Sequence, residues 1–293
     1  MPIVAIAAGV AVASTTLVGQ LLWTGHRRLP SQTPPSTTVL TFGAASGGDD
    51  APSNRPRAPV RVVALGDSTL TGPGLERGEQ VWLPHALATL GSSQPIEYVS
   101  LAVGGSRVAD AAARVRDALV LAPDVVVVAV GANDVLHGVP LHRIRRRLDE
   151  LIRSLLDRVD VVAIANVGDL GNIARVPAPL SSLARVRAAR VCRAIERVVS
   201  SHERAVLLDV TPADTVFRSR SVYTPDLFHP GPDGHAAWAR AVLPQLRLAV
   251  ERASAQRSEP GRDPSVAQAA GRTSAGRRRR WPRSRPRRTP PPR

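Results

Sequence analysis

Four short stretches of this 293-residue sequence carry side chains that could share one piece of chemistry. Gly66-Asp67-Ser68 places a hydroxyl directly after the apolar run Val60–Leu65. Asp226-Leu227-Phe228-His229 places a carboxylate three residues ahead of an imidazole, on a loop stiffened by Pro225 and Pro230. A serine nucleophile needs a base for its proton, a group that orients the base, and donors for the oxyanion formed when an acyl carbonyl is attacked. At this spacing Asp226 can accept a hydrogen bond from one ring nitrogen of His229, fixing the tautomer and leaving the other nitrogen for Ser68. Gly131-Ala132-Asn133-Asp134 offers the Asn133 carboxamide as a donor. In Val103-Gly104-Gly105-Ser106 either glycine could let a backbone N–H approach the reacting oxygen, and the Ser68 amide makes a third donor. Each stretch has a blander meaning. Gly-Asp-Ser is an ordinary turn, Asp134 reads as a helix cap, and His235, opening a helix after Gly234, competes with His229 as the base.

These groups can meet only if the chain brings them to one edge of one sheet. Strand candidates at 60–65, 96–102, 124–130, 161–167 and 205–209 alternate with helical patterns at 107–121, 141–159, 180–202 and 235–252. Alternation of this kind predicts an α/β domain over residues 59–253, with a five-stranded, mainly parallel sheet covered on both faces. Leu141, Ile144, Leu148, Leu151, Ile152, Leu155 and Val159 fall on one helical face. Each chemical stretch follows a strand candidate, at the carboxyl edge where open α/β sheets form their crevices.

Gly66-Asp67-Ser68, Gly105, Gly131-x-Asn133 and Asp226-x-x-His229, in that order, resemble the four blocks of the SGNH (GDSL) hydrolase family. The resemblance spans about residues 59–253 and implies a flavodoxin-like three-layer αβα fold with ester hydrolysis through an acyl-enzyme. It makes Ser68 the nucleophile, Asp226 and His229 the rest of the triad, and Ser68, Gly105 and Asn133 the oxyanion hole. Ser100 stands where many members carry Asn. The expected substrate is a small-molecule, lipid or sugar ester, with no cofactor and no metal. The alternatives are a catalytically silent binding module of the same fold, and acyl transfer or deacetylation on cell-envelope carbohydrate.

Outside that domain the composition changes. Ile3–Trp23 is twenty-one residues without a charge, long enough to span a bilayer as a helix. Residues 1–25 are therefore expected to be a single-pass membrane anchor, with a cleaved signal as the alternative. Arg27 and Arg28 favour the cytoplasmic face for the body of the chain. Residues 26–58, rich in Pro, Ser, Thr and Gly, read as a disordered linker, and 254–293 as a disordered Arg/Pro-rich tail. That tail holds twelve Arg against Glu259 and Asp263, which makes anionic lipid its expected contact ahead of nucleic acid. Every basic side chain of the Lys/Arg class is Arg, a sign of coding bias that carries no functional meaning. With Cys192 as the only cysteine, no intrachain disulfide can form. A monomer is expected.

Overall fold

The computed structural model describes residues 39–43, 58–92 and 94–257. Its sheet has six strands: β1 (Val39–Phe42), β2 (Val60–Gly66), β3 (Ile96–Ser100), β4 (Val125–Ala129), β5 (Val161–Ala165) and β6 (Ala205–Leu208). Their spatial order is β1-β3-β2-β4-β5-β6. The pairs among β2 to β6 are all parallel, and β1 runs antiparallel on β3. Five expected strands thus become six, because Val39–Phe42 lies inside the segment read as linker. Its backbone pairs with β3 from Val39 opposite Val99 to Phe42 opposite Ile96, and Leu40 and Phe42 pack against the core. Four apolar-rich residues inside a Pro/Ser/Thr-rich stretch are too few to shift its average composition.

Among the described residues eight α-helices complete the domain: α1 (Ser68–Thr71), α2 (Trp82–Thr89), α3 (Val108–Ala113), α4 (Val115–Val120), α5 (Ala132–Leu136), α6 (Leu141–Leu156), α7 (Leu180–Val199) and α8 (Pro232–Arg257). Alternate residues of β2 divide the core. Val62 and Ala64 join the cluster built with α2 and α8, while Val63 and Leu65 join the one built with α3, α4, α6 and α7. The result is three layers, αβα, and β4 and β5 are buried at every position, as strands covered on both faces must be.

The helix expected over 107–121 is two helices, broken at Arg114, whose guanidinium donates to the Leu101 carbonyl at 2.6 Å. On α6 the buried stripe is Ile144, Leu148, Leu151, Ile152 and Leu155, while Leu141 is 38% exposed. The tail expected from 254 begins in structure: α8 runs to Arg257, with Ala253 buried and the Ser254 hydroxyl donating to Val250 at 2.9 Å. Among the described residues no helix is long and apolar enough to cross a membrane. The apolar segment Ile3–Trp23, most of the linker and residues 258–293 lie outside the described residues.

Candidate active site

Ser68 is placed by the strand and turn ahead of it. Strand β2 delivers the chain to Gly66, where a Cβ would stand 2.8 Å from the Ala129 carbonyl oxygen of the neighbouring strand. Asp67 then caps α1, its Oδ1 accepting from the Thr69 N–H at 2.9 Å, so that Ser68 is the first helical residue. The Ser68 N–H has no hydrogen-bond partner among the described residues, as expected of a helix's first turn.

Asp226 and His229 come from the loop between β6 and α8. Leu227 adopts φ +57°, a left-handed conformation that folds the four residues into a tight turn, with its N–H donating to Thr224 at 2.8 Å. Asp226 Oδ1 thereby accepts from Phe228 N–H at 2.8 Å, His229 N–H at 2.9 Å and the Thr224 hydroxyl at 2.7 Å. Its Oδ2 accepts from His229 Nδ1 at 2.7 Å. Burial works to raise the Asp226 pKa, but the hydrogen bonds from His229, Thr224 and Phe228 outweigh it and hold the carboxyl below its ordinary value. The ring is held with Nδ1 toward the carboxylate and Nε2 free of it.

Ser68, Asn133 and His229 line one cavity of about 110 Å³ at the carboxyl edge of the sheet. Its walls are largely apolar, including Trp82, Val130, Val167, Ile173, Phe217 and Phe228. Asp226 stands behind the imidazole, away from the lining. A hydroxyl, an imidazole and a carboxylate in this relation can carry out nucleophilic acyl transfer.

The candidate donors are placed less uniformly. Asn133 Nδ2 donates to Asp67 Oδ2 at 3.2 Å and to the Ser106 carbonyl at 3.1 Å, so both of its protons are engaged in this resting arrangement. Burial pushes the Asp67 carboxyl up to about 6, against the opposing bonds from Thr69 and Asn133. Gly105, at φ +79°, lies in the turn after β3 and does not line the cavity. Its N–H has no partner among the described residues, and the same turn carries the Ser106 carbonyl that holds Asn133. The Ser100 hydroxyl accepts from the Ala102 N–H at 3.3 Å.

Asp134 does cap a helix, though not its own: its Oδ2 accepts from the Val108 N–H at the start of α3, at 3.0 Å. His235 is buried away from the cavity, its Nδ1 accepting from the Trp82 N–H at the start of α2, at 3.2 Å. Burial, with lesser contributions from His229 and His85, lowers its pKa to about 3. Trp82 is both buried and part of the cavity wall. Sequence reading missed Asp169, Asp214 and Trp238 on the cavity wall. Asp169 lies in the loop that follows β5 (Val161–Ala165), and that position was its only signal. Asp214 accepts from the Asp169 N–H at 2.9 Å, and burial raises its carboxyl to about 6.

A mainly parallel sheet in an αβα sandwich, with these groups along its carboxyl edge, defines the SGNH class of fold. The chain belongs to the GDSL-like lipase/acylhydrolase family, whose model matches residues 64–237. It is 28% identical over 199 residues to a GDSL-like esterase of Mycobacterium tuberculosis, a match covering 65% of this chain and 63% of that relative. Among solved structures it is similar to TesA, with a TM-score of 0.54 and 21% identity over 64% of this chain and 99% of the other. An acetylxylan esterase from Geobacillus stearothermophilus gives a TM-score of 0.53 and 18% identity over 64% of this chain and 94% of the other. At these identities the two structures speak for the fold.

Proposed function

We propose that this protein is a serine esterase that cleaves carboxylic esters through an acyl-enzyme. The observation that carries this reading is that Ser68 and His229 line one cavity while Asp226 holds His229 by Nδ1 at 2.7 Å. Nε2 takes the proton as Ser68 Oγ attacks the ester carbonyl, and returns it to the departing alcohol. Water, deprotonated by the same nitrogen, then releases the acid. The Ser68 N–H and Asn133 Nδ2 are the donors for the oxyanion, which must draw an Asn133 proton away from Asp67 or Ser106; Gly105, which the family resemblance makes a third donor, stands off the cavity lining. The full chain is tested on a short-chain p-nitrophenyl ester. Ser68→Ala is expected to lose at least roughly a thousandfold in kcat/KM with an unchanged melting temperature, and equal rates for the two proteins would identify a silent binding module.

A second reading, deacetylation of a carbohydrate or acyl transfer to one, draws support from polar groups on the otherwise apolar wall. Asp169 and Asp214 lie there, and the Trp238 indole N–H is buried without a partner among the described residues. A sugar acceptor that outcompetes water for the acyl group distinguishes transfer from hydrolysis. We further propose that Ile3–Trp23 tethers the domain to a membrane, on the strength of its uncharged length. Recovery of the full chain in the soluble fraction would refute that tether.

A further inference from the structure

The two layers that cover the sheet differ in charge. Helices α6 and α7 carry ten arginines against Asp149, Glu150 and Glu196, whereas α2 and α8 together carry four arginines against Asp233 and Glu251. On α7 the exposed side chains Leu183, Val186, Arg190, Arg193 and Arg197 succeed one another at helical spacing, two aliphatics and then three cations. Arg190, Arg193 and Arg197 have no acidic partner among the described residues.

The aliphatic end of this stripe neighbours two arginines that tie α7 to the segments forming the cavity wall. Arg187, one turn beyond Leu183, donates to the carbonyls of Val135, at 2.9 Å, and of Val139. Those carbonyls flank Leu136, which lines the cavity, and precede Leu141. Arg185 pairs with the cavity-lining Asp169 at 3.0 Å. Leu136, Leu141, Leu183 and Val186 are 41, 38, 56 and 50% exposed, and they are four of the eight large apolar side chains exposed among the described residues. Scattered aliphatics are ordinary on a surface; half of those exposed falling on α7 and on the cavity-side segment that Arg187 ties to it, next to cations without acidic partners among the described residues, is not.

We propose that the outer face of α6 and α7, with the end of α5 beside it, docks on an anionic lipid surface, with Leu136, Leu183 and Val186 seated in it and the cavity mouth held against it. Cations along the stripe meet the headgroups, and the aliphatic lip enters the acyl boundary, the division of labour of an interfacial helix. A nucleic acid would use the cations and leave the lip in water. The inference deepens the esterase reading, since it names a lipid-borne ester as the substrate met there, but its binding arm stands without that reading.

The test uses the full chain with Val186→Cys carrying an environment-sensitive dye, Cys192 being buried and out of reach. Vesicles containing phosphatidylglycerol are expected to shift its emission to the blue. Pure phosphatidylcholine vesicles are not, and neither is the same dye at Leu248→Cys on α8. Arg190→Glu/Arg193→Glu/Arg197→Glu is expected to weaken the shift at least roughly tenfold in lipid concentration, with hydrolysis of a soluble p-nitrophenyl ester unchanged. The same shift at both dye positions, no shift, a shift produced equally by duplex DNA, or a dye already in an apolar site before lipid is added would each overturn the proposal. Absence of soluble-ester hydrolysis in the parent protein would count against the esterase reading alone.

Discussion

Replacing Asp226 by Asn tests whether the carboxylate acts by choosing the tautomer of His229. Oδ1 accepts three donors, from Thr224, Phe228 and His229, whereas Oδ2 accepts only His229 Nδ1. An asparagine at this position keeps its carbonyl oxygen where three donors converge, so its NH₂ must take the place of Oδ2. That NH₂ faces Nδ1, which can then only accept, and the ring proton moves to Nε2. A protonated Nε2 cannot take the Ser68 proton. The wrong tautomer in a triad costs about 10⁴ in kcat, or about 5 kcal/mol of barrier. The turn itself keeps its three bonds to Oδ1, so the melting temperature should move by less than about 4 °C. The assay is kcat/KM on p-nitrophenyl acetate for parent and Asp226→Asn, with thermal unfolding monitored on the same samples. If Asp226→Asn retained more than about a tenth of the parent rate, tautomer control by this carboxylate would be refuted.

Two further predictions concern stability and pH. Burial raises Asp67 from 3.8 to about 6, so its ionisation is disfavoured in the fold, and stability should fall by ~3 kcal/mol as pH rises from about 4 to about 6. Asp67→Asn should remove that fall in urea unfolding measured across the window, and an unchanged pH slope would show that Asp67 ionises as freely folded as unfolded. His235 is shifted the other way, from 6.5 to about 3, so the unfolded chain takes up a proton that the fold refuses. Stability should decline as pH falls below about 6.5, by on the order of 4 kcal/mol near pH 3. Gln can still accept the Trp82 N–H, so His235→Gln should flatten this acid limb; a limb as steep as the parent's would exclude His235 as its source.

The parts legible in sequence were those fixed by chemistry or by simple periodicity. The valine run of β4 can only be an inner strand, and Asp226 and His229 sit close enough in the chain for their pairing to be a local matter. The features that escaped notice depend on distant partners. Val39–Phe42 is a strand only because β3 leaves an edge open beside it, and the Arg114 break between α3 and α4 is tied to the Leu101 carbonyl thirteen residues back. Asn133 was recognised as a donor, but its engagement with Asp67 and Ser106 joins three separate loops. Asp214 reaches the cavity from beyond β6, and no spacing rule connects it to Asp169.

The left-handed turn at Leu227 has a consequence for how this machinery tolerates motion. Acid and base ride on a single four-residue span, so thermal breathing of the sheet carries them as one piece. Of the separations within the trio, only the gap from that span to Ser68 is left to vary. Mutations remote from the cavity should therefore act through this one coordinate, by sliding α8 and its leading loop toward or away from the end of β2.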